Sequence, residues 1–322
     1  MLVRPFRKGD ESEVAVVYNG AFREVIQSLP EIYQYKEVTT DDVLDWFHEN
    51  GVVWVVEVDR NIIGYAQFRV EIEHGKRDIP VLQFMPAKNW DLEQSNIAVL
   101  PEYQRNGVGT KLLREIVDEY KNTIDFVTAH TFSDNQPAEK LLEANGFTMH
   151  DVFYYSDFSD DKPLTNSSVY EIRKLENLVA PDNLNQDIAF RRATLDDAAA
   201  LAELHRFNVF WCDECESIEW NREYISGKYG HTVFVVELEE RVVGSISYLK
   251  DGRVGITGVL PSMTRKGIGS AMFYKFLLAM NKDGHKVAFI DSGLTQVDAI
   301  KMYERFGFTI QRRQNAWIKK IK

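Results

Sequence analysis

Two seven-residue stretches carry the residue types of an anion cradle. Gln104, Arg105, Asn106, Gly107, Val108, Gly109 and Thr110 form one; Thr264, Arg265, Lys266, Gly267, Ile268, Gly269 and Ser270 form the other. Glycines let successive backbone N–H groups converge, and a helix beginning at the same place adds its partial positive charge, so such a turn suits a phosphate or pyrophosphate. Both turns have the same neighbours. VLPEYQRNGVGTKLL begins at Val99 and VLPSMTRKGIGSAMF at Val259, each an apolar strand, a Pro, the basic turn and then a helical pattern. Neither is a Walker loop, since no Gly-Lys-Ser/Thr follows, and both lack the third glycine and the acidic residue of a dinucleotide fingerprint.

Other side chains here could move protons. Glu93 lies six positions before Val99, on the same face of a strand if that strand is continuous, and could act as a base. His130 ends the apolar run IDFVTAH and reads more simply as a hydrogen-bonded structural histidine. Aromatic pairs at Trp46 and Trp54, and at Phe210 and Trp211, lie before the central strands and read as core residues. Cys212 and Cys215 form a lone C-x-x-C, with no second pair to complete a metal site, and read as free intracellular thiols.

The elements that hold these residues occur twice. VVEVDRNIIGYAQF from Val55 matches VVELEERVVGSISY from Val235, two strands joined by a polar turn. LLEANGFT from Leu141 matches MYERFGFT from Met302, and LVRPF from Leu2 answers AFRRA from Ala189. After each cradle an apolar stripe recurs at helical period, at Leu112, Leu113, Ile116, Val117 and Tyr120 and again at Met272, Phe273, Phe276, Leu277 and Met280. A later helix starts near Pro137 in the first copy and at a Thr295–Asp298 capping pair in the second, and stops at Gly146 or Gly307. The copies differ in one interval: 43 positions separate Gly64 from Gly107, but 23 separate Gly244 from Gly267. The first copy therefore holds an added segment within VEIEHGKRDIPVLQFMPAKNWDLEQ, where the second has only a tight Asp251–Gly252 turn. The repeats divide the 322 residues into 1–175 and 188–322, joined by a polar linker at 176–187.

Composition narrows the partners. A net charge of −11 gives a nucleic-acid backbone little to bind and is compatible with a cationic amine. No apolar run approaches a membrane span, and the opening residues lack the apolar core of a secretory signal, so a cytoplasmic protein is expected.

The doubled pattern resembles the pyrophosphate loop [QR]xxGx[GA] of the GCN5-related (GNAT) N-acetyltransferases, followed by that family's helix ending in Gly-Phe. Gln104, Gly107 and Gly109 meet the pattern fully; Gly267 and Gly269 meet it with Thr264 in place of the usual Gln or Arg. The resemblance implies an α/β (α+β) chain of two tandem GNAT domains, each a mixed, splayed β-sheet flanked by helices. It implies acetyl-CoA as co-substrate, with its pyrophosphate on the backbone of 104–110 and 264–270 and its pantetheine along the strand edges at Ile97–Val99 and Ile256–Val259. Tyr303 falls where the family places a general acid, a place held by Leu142 in the first copy. Asn135 matches a residue used near the thioester arm, a place held by Gln296 in the second.

The chemistry such a site must perform is limited. An amine acceptor is protonated at neutral pH, so a group such as Glu93 has to take its proton before it attacks the thioester. The oxyanion needs an N–H donor, for which the Val99 or Val259 backbone is placed, and the leaving thiolate needs a proton from Tyr303. The expected activity is acetyl transfer to a small-molecule amine by a metal-free monomer or homodimer. The alternative is an acyl-CoA-binding or scaffold protein with one or both domains inactive. A transferase using aminoacyl-tRNA on a doubled version of the fold is disfavoured, because it needs no coenzyme loop.

Overall fold

The computed structural model describes residues 1–27, 37–48, 51–74, 76–84, 97–155, 163–182, 184–185, 187–208 and 213–322. Two compact units emerge. One comprises Met1–Ser168 together with Arg313–Lys322, the other Val169–Arg312.

In the first unit β1 (Leu2–Pro5), α1 (Glu11–Gln27), α2 (Thr40–His48), β2 (Val52–Val58) and β3 (Asn61–Glu73) precede β4 (Ile79–Phe84) and β5 (Ile97–Val99). There follow α3 (Val108–Tyr120), β6 (Phe126–Phe132), α4 (Gln136–Ala144), β7 (Thr148–His150), β8 (Val152–Phe153) and β9 (Thr165–Asn166). β1, β2 and β3 are antiparallel neighbours. The long β3 serves two partners, pairing β5 near its start and β4 beyond Arg69. The added segment recognised in the sequence thus extends β3 and supplies β4, which runs parallel to β6 from Val81/Phe126 to Phe84/Ala129. Both faces of the sheet are covered. The stripe of α3, with Leu112, Leu113 and Ile116 fully buried, packs on one face, and Val14, Val17, Tyr18 and Val43 of α1 and α2 pack on the other. Each such side chain stabilises the fold by roughly 1.5–3 kcal/mol.

The second unit begins with β10 (Ser168–Lys174), of which Val169 onward belongs to it, and continues through β11 (Ala189–Arg192), α5 (Ala198–Asn208) and α6 (Ile218–Ile225). Then come β12 (His231–Leu238), β13 (Arg241–Leu249), β14 (Val254–Val259), α7 (Ile268–Lys282), β15 (Val287–Gly293), α8 (Val297–Arg305) and β16 (Thr309–Lys320). β11 to β14 form an antiparallel sheet in sequence order, and β10 lies beside β15. Among the described residues the one bridge between this sheet and β15 joins Arg253, just before β14, to Phe289, with the Phe289 N–H donating to the Gly252 carbonyl at 3.2 Å. Past that bridge the two strands part.

The sequence repeat and the compact units differ at their ends. By repeat, β10 closes the first copy and β16 the second. In space, β10 contributes to the second unit, and residues 314–320 of β16 pair with β6 in the first, from Gln314/Phe132 to Lys320/Phe126. The two copies have exchanged their final strands.

Several local devices recur in both units. Arg4 bonds Asp10 at 2.6 and 3.0 Å and Glu57 at 3.0 Å; Arg191 bonds Asp197 at 2.7 and 2.8 Å and Glu237 through Nε at 3.0 Å. Each guanidinium thus pins the first strand to the second and to the turn before the first helix, and holds its aspartate below the ordinary carboxylate range against desolvation. The β2–β3 and β12–β13 hairpins turn on Asp59–Arg60 and Glu239–Glu240, all four with positive φ between 50° and 69°. Two-residue turns of this hand favour Asn-Gly. Replacing Glu239–Glu240 by Asn-Gly is expected to stabilise the protein by about 1 kcal/mol, read as a raised thermal midpoint.

Two expectations need correction. Cys215 is fully buried and disulfide-bonded, and no free cysteine occurs among the described residues. It sits in a 3-10 turn, Asp213–Glu216; Cys212, the other cysteine of the sequence, lies outside the described residues. The last helix of the second copy is capped by Gln296 without a side-chain bond, so Thr295 and Asp298 form no capping box there. Among the described residues no helix is long and apolar enough to cross a membrane.

Candidate active site

The two cradles have the same backbone. In each, a 3-10 turn opened by proline (Pro101–Tyr103, Pro261–Met263) leads to an extended residue, Gln104 or Thr264, and then to an arginine in the left-handed region, Arg105 at φ 62° and Arg265 at φ 59°. Gly107 and Gly267 follow at φ 77° and 74° as the N-caps of α3 and α7, with no side chain satisfying the first N–H groups of either helix. Non-glycine residues held left-handed at one matching position in both copies mark a turn whose conformation is maintained against local cost. Nothing lies within 4 Å of the place a Cβ on Gly107 would occupy, so the concave side of the loop is open. The side chains of Val108 and Ile268 turn into the cores, leaving those residues only their backbone N–H to offer. Asn106, Arg105, Arg265 and Lys266 are on the surface around the loops.

Position 104/264 explains the one departure from the loop pattern. Gln104 Nε2 reaches back to donate to the Val99 carbonyl at 2.9 Å, tying the loop to β5. The shorter Thr264 donates instead to the Pro261 carbonyl at 2.9 Å, closing only its own turn.

The strand edges leading into the loops are available on one side. The Leu100 N–H donates to the Ile63 carbonyl at 2.9 Å, so alternation along the antiparallel ladder bonds Leu100 and Ala98 to β3 and turns Ile97 and Val99 away from it. In the second unit the Leu260 N–H donates to the Val243 carbonyl at 2.8 Å, and Val259 and Thr257 turn outward by the same alternation. Among the described residues no strand pairs with that side of β5 or β14, and the bridge at Arg253 comes just before β14. Gly64 and Gly244 allow the close approach this needs: a Cβ on Gly64 would stand 3.0 Å from the Ala98 carbonyl oxygen, and one on Gly244 3.1 Å from that of Gly258. An outward N–H at Val99 or Val259, at the mouth of a gap between strands and one turn from an N–H cradle, can support a ligand carrying both a pyrophosphate and an amide-containing arm.

The other sequence-named residues are distributed unevenly. Tyr303 lies on α8 in the second unit, 5% exposed, with its ring centroid 5.0 Å from that of Phe273 and 5.9 Å from that of Phe308. Burial, reinforced by nearby Glu171 and Asp291, pushes its phenol well above the ordinary value, so it remains a proton donor throughout the neutral range. Its counterpart Leu142 is an ordinary core residue. Asn135 caps α4, its side-chain oxygen accepting from the Ala138 N–H at 3.3 Å. His130 keeps a buried Nδ1 without a hydrogen-bond partner and is pushed down to about 4 by desolvation. Trp54 packs against the first unit's core. Glu93 and the side chains of Trp46, Phe210 and Trp211 lie outside the described residues. Among those described, no group of three or more His, Cys, Asp or Glu is arranged to hold a metal ion.

Sequence reading missed a set of acidic groups in the second unit. Glu171 on β10 is fully buried, one oxygen 3.4 Å from the Ser292 hydroxyl and the other without a partner, and is pushed up to about 7 by desolvation. Asp291 on β15 is also raised to about 7 by desolvation, although its side chain reaches solvent. Neighbouring protein atoms crowd the carboxylate while part of the side chain stays open to solvent. Aligning the copies on Gly146 and Gly307 would have singled out Asp291, because it falls opposite His130.

The sequence profile of the acetyltransferase (GNAT) family matches residues 19–147 and again 198–308. The chain belongs to the GNAT acetyltransferase family, in a tandem arrangement of two such domains. A tandem GNAT protein from the clavulanic acid biosynthesis pathway is similar over the whole chain and 98% of its own length, at 13% identity and a TM-score of 0.65. A GCN5-related N-acetyltransferase from Sphaerobacter thermophilus is similar over 100% of this chain and 96% of its own, at 16% identity and a TM-score of 0.60. The glucosamine N-acetyltransferase region of a fungal multi-domain β-N-acetylglucosaminidase matches 99% of this chain and 38% of its own, at 15% identity and a TM-score of 0.67. At these identities the likeness is one of fold. No curated protein matches the sequence.

Proposed function

We propose that the protein transfers an acetyl group from acetyl-CoA to the amine of a small-molecule acceptor, with coenzyme bound in both units and turnover in the second. The observation that carries this reading is the presence, in one unit, of a helix N-terminus at Gly267 with no side-chain cap, an outward Val259 N–H and a phenol held protonated at Tyr303. The cradle backbone at 264–270 holds the pyrophosphate and the edge of β14 pairs with the pantetheine arm. The Val259 N–H receives the developing oxyanion, which is the kind of fixed dipole that lowers such a barrier. Tyr303 protonates the departing thiolate. The first unit has the fuller loop and Leu142 in place of the acid, which favours binding without turnover there. With a net charge of −11 and no long apolar helix among the described residues, the reading is of a cytoplasmic monomer or homodimer with neither nucleic-acid nor membrane partners.

Calorimetric titration with acetyl-CoA tests the binding step: the expected result is saturable binding, and its absence removes both the transferase and the binding-module readings. Tyr303→Phe tests the division of labour. Loss of a general acid is expected to slow thiol release by about 100-fold with acetyl-CoA affinity unchanged. Turnover that survives Tyr303→Phe but disappears when Gly107 is replaced would place the chemistry in the first unit. A panel of amines assayed by free-thiol release identifies the acceptor.

A further inference from the structure

β6 and β15 are the strands across the gap from the coenzyme edge, and they correspond residue for residue. The offset relating Gly146 to Gly307 also relates Asn135 to Gln296, both N-caps, and β6 Phe126–Phe132 to β15 Val287–Gly293. Under it His130 and Asp291 occupy one structural position. On β15 the buried Ala288, Ile290 and Ser292 face the helix side, so Asp291 emerges on the opposite face. On β6 Val127 and Ala129 face the helix side, and His130 emerges opposite them likewise. Both copies therefore place a titratable side chain on the face away from the helix carrying Tyr303 or Leu142; Asp291 is open to solvent there, whereas His130 is covered, its Nε2 3.3 Å from the Thr165 hydroxyl.

We propose that this is the proton-accepting position of the fold, and that Asp291 is the base that deprotonates the acceptor amine in the second unit. The inference rests on the acetyl-transfer reading above and assigns a residue that the sequence had left to Glu93.

The surroundings of Asp291 suit that task. Arg253, at the root of the gap on the β14 side, favours its carboxylate and is itself held by Asp251 at 2.6 Å. His231 on β12 is pushed down to about 4 by burial and by Arg253, so it is neutral and adds no competing charge. Glu171 on β10 and Tyr303 on α8 lie on the helix side, and their own shifts keep each of them largely protonated up to about neutrality. Desolvation thus dominates at Asp291 and brings it to about 7. A base poised there is ionised enough to work at neutral pH and basic enough to take an ammonium proton.

The step balances across the gap. The Asp291 carboxylate takes one proton from the acceptor ammonium, and the freed lone pair attacks the thioester carbonyl carbon. The carbon–sulfur bond breaks with its electron pair leaving on sulfur, and the thiolate takes the phenol proton of Tyr303. The phenolate recovers a proton from the nitrogen that has become an amide. The products are the amide, the free thiol and a protonated Asp291 that returns its proton to water. Base and acid act from opposite faces of the sheet, so neither protonates the other directly. In the first unit His130 offers a neutral imidazole at the same position, but no acid faces it at Leu142.

The experiment measures thiol release at saturating acetyl-CoA with ethylamine varied as the acceptor, from about pH 5 to about pH 9, alongside calorimetric affinity for acetyl-CoA. Wild-type kcat/KM is expected to rise with unit slope and level off above about pH 7. Asp291→Asn is expected to lose roughly 100-fold and to lose that limb, with acetyl-CoA affinity unchanged, while Asp291→Glu keeps part of the rate with a shifted limb. Carbon-13 NMR of the aspartate carboxyls, assigned through Asp291→Asn, is expected to give a midpoint near 7, which serves even if ethylamine is not acetylated. An Asn variant that keeps the limb and the rate, or an Asp291 midpoint in the ordinary carboxylate range, overturns the assignment. Failure of the wild-type protein to bind acetyl-CoA would instead overturn the underlying acetyl-transfer reading.

Discussion

Gly107→Val is expected to remove one of two acetyl-CoA sites, Gly267→Val the other, and the double variant both. At φ 77° and 74° these residues hold a conformation that costs an L-residue about 1–2 kcal/mol, a load a protein of this size can carry. Binding suffers far more. A branched side chain at 107 would stand in the open concavity where nothing now lies within 4 Å, and relief of the strain would rotate the N–H groups that follow. Losing two charge-assisted hydrogen bonds costs about 3 kcal/mol or more, over 100-fold in affinity. Calorimetric stoichiometry reads the result directly, as two sites in the wild type and one in each single variant. Two sites surviving in either single variant would show that its loop is only a tight turn.

Glu171→Gln is expected to stabilise the protein, and only above a certain pH. Burial raises the Glu171 carboxyl from 4.5 to about 7, so the folded state holds this proton more tightly than the unfolded chain. Wild-type stability from this group is therefore fullest below about 4.5, falls as pH rises toward 7 and is level above that. At pH 8 the penalty is on the order of 3 kcal/mol, and the amide, which cannot ionise, escapes it. The variant's thermal midpoint is expected to exceed that of wild type by roughly 5–10 °C at pH 8 and to converge with it near pH 4. A pH-independent difference would mean that the carboxyl titrates normally. A group that destabilises its own fold at working pH, in the unit that carries Tyr303, has the signature of a residue kept for what it does to its neighbours.

How much of this could be read from the chain depends on what repeats. The cradles were legible because Gly107 and Gly267 recur with the same proline before and the same apolar stripe after, and the stripes at Leu112–Val117 and Met272–Leu277 are buried as their period requires. The available edges at Val99 and Val259 follow from ladder alternation once the strands are placed. Asp291 and Glu171 were not singled out because their chemistry lies in desolvation, which no local pattern encodes. The helix start at Gln296 escaped because a Thr-x-x-Asp signature stands beside it without closing. The owner of each final strand escaped for a deeper reason: pairing between strands distant in sequence is decided by the tertiary fold, which no local pattern encodes.

That exchange bears on how the protein is made. The first unit's sheet is completed by residues 313–320, so its β6 edge waits, exposed, until nearly the whole second repeat has left the ribosome. The second unit, by contrast, receives β10 before the rest of its own chain is synthesised. The unit begun first is thus the one completed last, and a cut at the apparent domain boundary near 176 would leave two fragments, each holding a strand that belongs to the other. A lesion or fusion near residue 313 would be felt first in the unit that begins at Met1.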